Sequence, residues 1–355
     1  MGIKYLTDGH RGMANVKMSD IASLAGVSES TVSRALCDNP LINEATRTRI
    51  KKIAEENGYV LDLRARNLRL QKTGTISVVF PLLHEVDSGI SDPFFLEMLG
   101  HLADELAERH YDLLLHKIGP GEPRGLIDLV NERRSDGVLV IGQSTQNAVI
   151  NELATRYEPL VVWGAALPDQ HYLTVGSDNY NGAVTAVQHL VGLGHRRIAF
   201  FGDKTLPEIG QRYAGYVAAI EQAGIAPNPA LECRVPFDRL GARKAMNGFL
   251  DQHIAFDAVF AASDLVAIAA INVFDQRGIK VPVDVAMVGF DDIMLAAAYT
   301  PALTTVRQDI GQGAKAMVEA LFSRLNGTQA ASTILPTSLV IRASCGAKML
   351  QNKSA

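Results

Sequence analysis

Two patterns of hydrophobic and polar positions divide the chain near residue 72. Between residues 18 and 58, apolar residues recur at helical spacing, and each stretch ends at a glycine or a polar capping residue. After residue 73, short and nearly continuous apolar runs alternate with longer amphipathic stretches. Such runs are typical of parallel strands that are covered by helices on both faces. The pattern therefore predicts a small all-α unit followed by a larger α/β unit.

Three short helices are predicted in the first unit. The first ends at Gly26, Ser28 can cap the second, and the third runs from Asn43 to Gly58. The first two helices meet in a tight turn and share an apolar inner side, formed by Ile21, Ala22, Ala25, Val27, Val32 and Leu36. This arrangement is typical of a helix-turn-helix.

The second unit has the strand–helix alternation of a parallel α/β fold. Strands are predicted at 76–80, 113–116, 138–141, 160–163, 198–201, 258–260 and 285–288. Helices are predicted at 94–109, 146–156, 180–193, 211–223, 239–251, 264–277 and 310–325. This is more chain than one ordinary sheet needs, so we predict two α/β lobes with parallel sheets.

Charge separates the same two parts. The chain has 355 residues and a formal net charge of −4. Residues 1–72 contain 12 Lys and Arg against 8 Asp and Glu, while the remaining residues contain 22 against 30. A basic N-terminal piece on an acidic body indicates a polyanion-binding module.

Several classes of protein are disfavoured by the sequence. No apolar run approaches the length of a membrane span, and the first residues lack the apolar core of a signal peptide, so we expect a cytoplasmic protein without membrane contact. The three cysteines, Cys37, Cys233 and Cys345, lie far apart, which predicts reduced thiols and no metal site. Nucleotide-binding loops, hydrolase elbows and paired metal-binding histidines are absent, so we expect no cofactor and no enzymatic activity.

The second helix presents polar side chains that suit DNA. Arg34 can read guanine, Glu29 can accept a hydrogen bond from cytosine, and Ser30 and Ser33 can contact bases or phosphates. An ordinary helical hairpin with a solvated outer face is the alternative interpretation.

Longer strings make the interpretation specific. The run Ala25-Gly-Val-Ser-x-x-Thr-Val-Ser-Arg-Ala-Leu36 resembles the N-terminal signature of the LacI/GalR family of bacterial transcription regulators. Further matching strings follow in family order from about residue 16 to 345; they begin at Asn43, Ile53, Ala65, Ser91, Leu193, Arg212, Ser263, Val288 and Pro301.

The resemblance implies an organisation for the whole chain. A helix-turn-helix headpiece occupies 16–60, a hinge helix or linker 61–72, and a periplasmic-binding-protein-like sensor of two lobes 73–345. Residues 1–15 are expected to be a disordered extension and 346–355 a tail. The three lobe crossovers, the operator DNA and the homodimer are likewise implied by the family. The tail has no leucine heptad, so we expect no larger assembly.

DNA-contact positions also transfer from the family. Base-reading positions fall on Glu29, Ser30 and Arg34, and backbone positions on Lys17, Ser28, Thr31, Ser33 and Tyr59. The minor-groove wedge falls on Leu68, with Ala65 beside it. An acid repels phosphate, so Glu29 either reads a cytosine or faces solvent.

Effector positions transfer to the cleft between the lobes. They fall on Phe94, Phe95, Trp163, Arg212, Ser263, Asp264 and Asp291. Aromatic rings stack on sugars, while Arg and Asp bind neighbouring hydroxyl groups. The alternatives are a core role for Trp163 and a surface ion pair for Arg212. Many relatives have Asn where this chain has Ser263.

We therefore expect a transcription regulator, a repressor of carbohydrate-utilisation genes, whose affinity for its operator is changed by a sugar. Two alternatives remain open at this point. The same architecture could sense a purine or nucleoside, with Phe94 or Phe95 stacking on the base, or the chain could be a solute-binding protein for transport.

Overall fold

A computed structural model describes residues 16–37, 39–59, 72–81, 90–119, 122, 124–236 and 238–347. The chain separates into two compact units between Lys72 and Thr73. The expected extension 1–15, the hinge residues Ala65 and Leu68, and tail residues 348–355 lie outside the described residues.

The first unit contains three helices among its described residues. They are α1 (Met18–Ala25), α2 (Glu29–Leu36) and α3 (Glu44–Glu56). Gly26 ends α1 with φ 63°, a left-handed conformation that glycine adopts without a steric penalty. The Ser28 hydroxyl accepts from the Thr31 amide and caps α2. A small apolar core joins the helices and is made of Ile21, Ala22, Ala25, Val32, Ala35, Ile50 and Ala54.

The second unit is an α/β structure. Its helices in the described residues are α4 (Pro93–Ala107), α5 (Gly125–Asn131), α6 (Asn147–Ala154), α7 (Asn179–Gly192), α8 (Pro207–Gln222), α9 (Arg239–Leu250), α10 (Asp264–Gln276), α11 (Met294–Ala298) and α12 (Ile310–Leu325). Its strands there are β1 (Thr75–Pro81), β2 (Asp112–Ile118), β3 (Gly137–Ile141), β4 (Leu160–Trp163), β5 (Leu173–Ser177), β6 (Ile198–Phe201), β7 (Glu232–Cys233), β8 (Ala258–Ala261), β9 (Ala286–Asp291), β10 (Thr304–Arg307), β11 (Thr333–Leu335) and β12 (Ser338–Val340).

These strands form two sheets, one in each lobe. The described strands of lobe 1 follow the order β11-β5-β4-β3-β1-β2 and are all parallel. Those of lobe 2 follow β12-β10-β9-β8-β6-β7 and are parallel except for the β10–β12 pair. The inner strands are buried along their whole length, which explains their continuous apolar sequences. The predicted two-lobed parallel fold is confirmed.

Three connections join the lobes within the described residues. The chain leaves lobe 1 after β5, returns after β10 through α12 to β11, and crosses again from β11 to β12. The carboxyl ends of parallel strands carry the ligand site in open α/β sheets. The carboxyl ends of β4 in lobe 1 and β9 in lobe 2 therefore face the same cleft, and their last residues, Trp163 and Asp291, line it.

The seven predicted strands and seven predicted helices of this unit are all present. The largest difference among the helices is at α8, which begins at Pro207 rather than at 211, because proline is favoured in the first turn. Strands β5, β7, β10, β11 and β12 and helices α5 and α11 are outside the predicted set, although residues 175–177 of β5 have a strand-like sequence. They are two to seven residues long, too short to show a clear period.

Candidate functional sites in the headpiece and the cleft

The start of α2 is the candidate DNA-reading surface of the headpiece. Glu29, Ser30 and Arg34 are exposed, whereas Val32 and Ala35 on the opposite side are buried in the core. Glu29 lies in the first turn, where a carboxylate is stabilised by the helix dipole. The helix therefore has a structural use for Glu29 that needs no base contact. Arg34 lies in the last turn, where the dipole likewise favours a cation, and its exposed guanidinium is also able to reach a base edge.

The expected backbone contacts surround this surface. The Ser28 hydroxyl is hydrogen-bonded to two neighbouring hydroxyls, with Ser28 Oγ 2.8 Å from Ser30 Oγ and 2.9 Å from Thr31 Oγ1. Lys17 is exposed at the start of α1, while Ser33 and Tyr59 are partly buried. The structure thus places Lys17 and the α2 hydroxyls on the accessible part of the headpiece. The positions of Ala65 and Leu68 lie outside the described residues.

A cavity of about 890 Å³ lies between the two lobes. Lobe 1 supplies an aromatic wall, with Phe94 and Phe95 at the start of α4 and Trp163 at the end of β4. Asp92 caps α4 by accepting from the Phe94 amide at 2.9 Å, which fixes the position of both phenylalanines. Six of the seven expected effector residues line this cavity, namely Phe94, Phe95, Trp163, Arg212, Ser263 and Asp291.

Trp163 is more deeply set than a stacking platform needs to be. Its side chain is 5% exposed, and its ring lies 6.2 Å from the Phe94 ring. A Cβ atom on Gly313 of α12 would collide with the indole, so the ring packs directly on that helix. Trp163 combines the core role and the cavity role that the sequence left as alternatives.

Arg212 of α8 organises the polar floor of the cavity. Its Nε donates to Asn179 Oδ1 at 2.8 Å and its Nη1 to the Ala262 carbonyl at 2.6 Å. Nη1 also lies 3.5 Å from Asp291 Oδ1, and the guanidinium stands 3.8 Å over the Phe290 ring. At 7% exposure this is a buried group rather than a surface ion pair. Within the described residues Nη2 has no partner and remains available to a ligand.

Asp291 faces Arg212 from the end of β9. Gln308 donates to its Oδ1 at 2.7 Å. The residue adopts φ 120°, which is rare outside glycine and is retained mainly where side-chain placement matters. Burial raises the pKa of Asp291 to about 7, and the neighbouring Arg212 opposes that rise. A buried carboxylate beside an arginine can accept hydrogen bonds from two neighbouring hydroxyl groups.

The adjacent Asp292 points elsewhere, as expected for consecutive residues in a loop. Its carboxylate forms ion pairs with Arg307 and Arg342, each at 2.6 Å. The two neighbouring aspartates therefore belong to different networks, and only Asp291 lines the described part of the cavity wall.

Ser263 and Asp264 are placed differently from each other. The Ser263 hydroxyl caps α10 by accepting from the Val266 amide, and the residue lines the cavity. Asp264 is fully buried behind the described wall, where it accepts from Thr305 Oγ1 and from the Ile293 amide at 3.0 Å. The structure therefore does not bring Asp264 into the cavity, and its contacts hold the segment after β9 in place.

The sequence reasoning missed Asp92, Glu208 and Gln308. For the pair Asp178-Asn179 it left two roles open, lining the cleft or capping the following helix, and favoured capping. Asn179 and Gln308 hold Arg212 and Asp291, and Asp92 and Glu208 add carboxylates to the wall. Glu208 accepts from the Gln143 amide of lobe 1 at 3.4 Å. The available signal was position, because Asp92 and Gln308 belong to strings already singled out and Asn179 opens the helix after β5.

The described residues contain no cluster of three or more metal-ligating side chains. Among them there is also no helix long and apolar enough to cross a membrane.

Comparison with known proteins gives matches over nearly the whole chain. Residues 17–62 match the family described as bacterial regulatory proteins of the lacI family, and residues 187–345 match the periplasmic binding protein-like domain. The HTH-type transcriptional repressor CytR of Escherichia coli (strain K12) is 32% identical over 335 residues, which is 92% of this chain and 95% of CytR.

Solved structures agree. The transcriptional regulator CelR in complex with cellobiose is 30% identical, covers 93% of this chain and 99% of its own, and has a TM-score of 0.69. The lac repressor dimer bound to operator and the anti-inducer ONPF covers the same shares with a TM-score of 0.76, and at 21% identity it supports the fold. The headpiece match separates the chain from solute-binding transport proteins, and the relatives are regulators rather than enzymes. The chain belongs to the LacI family of bacterial transcription regulators.

Proposed function

We propose that this chain is a homodimeric repressor of carbohydrate-utilisation genes in the bacterial cytoplasm, and that a sugar bound between its lobes changes its affinity for operator DNA. The observation that carries the proposal is the interlobe cavity, in which the buried Arg212–Asp291 pair faces an aromatic wall. Sugars offer paired hydroxyl groups to such a pair and an apolar ring face to such a wall. Two relatives support the proposal, because CytR is a transcriptional repressor and CelR is a transcriptional regulator whose structure was solved with cellobiose.

The mechanism couples three parts. Helix α2 reads the major groove of each half-site with Arg34 and Ser30. Residues 62–70, within the hinge segment 61–72, fold into a helix when DNA is bound and place Leu68, beside Ala65, in the minor groove. A ligand that binds one arrangement of the lobes better than the other shifts the equilibrium between them, and DNA affinity changes by the same coupling.

Trp163 is the only tryptophan of the sequence and lines the cavity, so its fluorescence reports on binding there. We would titrate the purified chain with a panel of sugars and nucleosides and follow this signal. DNA binding would be measured in parallel by anisotropy, on a duplex selected from a random library by the chain itself. We expect a saturable response to one or more sugars and a shift in DNA affinity of about 5–150-fold.

Arg212→Ala should abolish both the fluorescence response and the shift in DNA affinity, while DNA binding itself remains. Arg156→Ala is the matched control, because Arg156 is an exposed arginine of lobe 1 that pairs with Glu152 away from the cavity. A normal response in Arg212→Ala would remove this residue from the site. A panel in which no sugar changes either signal would overturn the proposed function.

A second candidate effector is a purine or nucleoside. It is favoured by the two adjacent rings of Phe94 and Phe95, whose centroids lie 5.9 Å apart at the cavity wall. A base would stack on one of these rings, Phe94 or Phe95, because the two ring planes are inclined at 69° to each other. A response to nucleosides without any response to sugars would select this candidate.

A further inference from the structure

The cavity wall carries unequal charge. Four acidic and two basic residues line it among the described residues: Asp92, Glu208, Asp238, Asp291, Arg212 and Arg243. Arg243 is exposed at the rim and donates to Gln276 Oε1 at 3.0 Å. Arg212 is consequently the cation that lies among these carboxylates, and it is already engaged with Asp291.

Asp92 and Asp291 carry this charge on opposite lobes. Asp92 caps α4 in lobe 1, and Asp291 ends β9 in lobe 2. Both residues line the same cavity, and the charge of Asp92 contributes to the raised pKa of Asp291. In the described part of the chain Asp92 has no cationic partner, since its contact there is the Phe94 amide. Within the part of the cavity that the structure describes, a ligand between the lobes thus meets a carboxylate without a cationic partner on the Asp92 side.

We propose that the effector is a sugar without negative charge and that Asp92 is the specificity-determining residue that excludes acidic sugars. This rests on the proposed function, because it assigns a charge class to the ligand of the same cavity. Burying a uronate or sugar phosphate beside Asp92 and Asp291 places like charges together in a poorly solvated space. Hydroxyl donors, and still more an ammonium group, relieve that cost. Within any matched series of sugars, we therefore expect the amino sugar to bind most tightly, the neutral sugar less tightly and the acidic sugar most weakly.

The protonation behaviour of the wall agrees with this. Burial raises the pKa of Asp92, Glu208 and Asp291. Burial disfavours the charged form of each carboxyl group, and hydrogen-bond donors from a ligand would stabilise that form.

The first test needs no known effector. Fluorescence of Trp163 would be quenched at pH 8 with caesium and, separately, with iodide. The Stern–Volmer quenching constant for each ion would be divided by the constant that the same ion gives with free N-acetyltryptophanamide, which corrects for the different quenching efficiency of the two ions. A negatively charged cavity concentrates cations, so we expect the normalised caesium constant to exceed the iodide constant by about threefold or more. Asp92→Asn should lower the ratio of the caesium constant to the iodide constant. Asparagine caps helices as well as aspartate, so α4 should be retained.

Glu97→Gln is the matched control, because Glu97 is an exposed acid on the same helix outside the described cavity wall. It should leave the ratio unchanged. Equal quenching by the two ions, stronger quenching by iodide, or an equal effect of Asp92→Asn and Glu97→Gln would overturn the proposal.

The second test uses matched sugars. Glucose, glucosamine and glucuronate would be titrated into the chain, followed by the same three derivatives of galactose. We expect glucuronate and galacturonate to bind about tenfold or more weakly than their neutral parents, and Asp92→Asn to reduce that ratio. A uronate that binds as tightly as its parent would overturn the charge assignment while leaving the proposed function standing. If no sugar binds, the proposed function fails and the quenching ratio alone decides the charge of the cavity.

Discussion

Two arginines represent the two recognition tasks of this chain, and their surroundings differ accordingly. Arg34 is exposed on α2, where a long side chain can reach a base edge. Arg212 is buried and held by Asn179 and Asp291, so its geometry is fixed before a ligand arrives. Mobility suits a residue that meets DNA from solvent, whereas preorganisation suits a closed cavity.

Arg34→Ala should reduce specific DNA binding by about 1–3 kcal/mol and relax selectivity at one base position. Lys52→Ala is the control, because Lys52 is exposed on α3 and pairs with Glu56. Selection from a random DNA library by each variant gives the measurement. An unchanged sequence preference in Arg34→Ala would contradict base reading by this residue.

Asp291 predicts a pH dependence of sugar binding. Burial raises the pKa of Asp291 to about 7, so at pH 6 the Asp291 carboxyl is protonated in most protein molecules. A carboxylate accepts two hydroxyl donors better than a carboxylic acid does, so binding favours the ionised form. Affinity should therefore increase by about tenfold between pH 6 and pH 8.

The dependence should disappear in Asp291→Asn, which removes the titrating group and weakens binding at every pH. The sugar identified by Trp163 fluorescence would be used. An affinity that falls between pH 6 and pH 8 in the unchanged chain would show that the protonated form is the one that binds.

At this scale the sequence identifies part of the site. Arg212 and Asp291 stand in recognisable strings, and both line the cavity. Their partners are harder to predict, because Asn179 lies 33 residues from Arg212 and Asp291 lies 79 residues from it. Strings do not show which side chain completes a hydrogen bond across such separations. Asp264 shows that a residue in a matching string can also lie outside the site. Its string resembles the family, but the fold buries its side chain behind the described wall.

Among the elements, α12 packs directly against the end of β4, which lines the cavity. Gly313 of α12 lets the helix pack directly on the Trp163 ring, and a methyl group there would collide with it. The aromatic wall therefore depends on a helix that comes from a distant part of the chain.

Gly313→Ala should lower the free energy of unfolding by about 1–3 kcal/mol through overpacking and should change the emission of Trp163. Gly248→Ala is the matched control. Gly248 lies in α9 with no atom within 4 Å of an added Cβ, so alanine there should be neutral or stabilise by about 0.4–1 kcal/mol. Denaturant unfolding measures both variants, and equal effects would contradict the packing argument.

Elements were predictable where burial is complete and runs are long. Strands β3 and β4 are buried at every position, and their apolar runs predict them. The edge strands β11 and β12 have three residues each and are only partly buried, so their sequences carry no long apolar run. Tertiary pairing, rather than local pattern, makes these segments strands.

For the molecule as a whole, the family resemblance predicts coupling between DNA and effector through the segment 61–72. Leu68→Gly should weaken operator binding by about tenfold or more, because it removes the wedge and disfavours helix formation. Sugar binding, followed by Trp163 fluorescence, should be unchanged in the absence of DNA. A DNA footprint and affinity identical to those of the unchanged chain would remove Leu68 from the minor groove.

The three lobe crossovers have a consequence for the order in which the protein is made. Helix α12 and strand β11 belong to lobe 1, and β12 belongs to lobe 2, yet all three come from residues 310–340. A nascent chain that has emerged only as far as β10 therefore has two sheets that each lack an edge strand. The headpiece can fold early on the ribosome, whereas we expect both lobes to complete their folding together, once residues 310–340 have emerged.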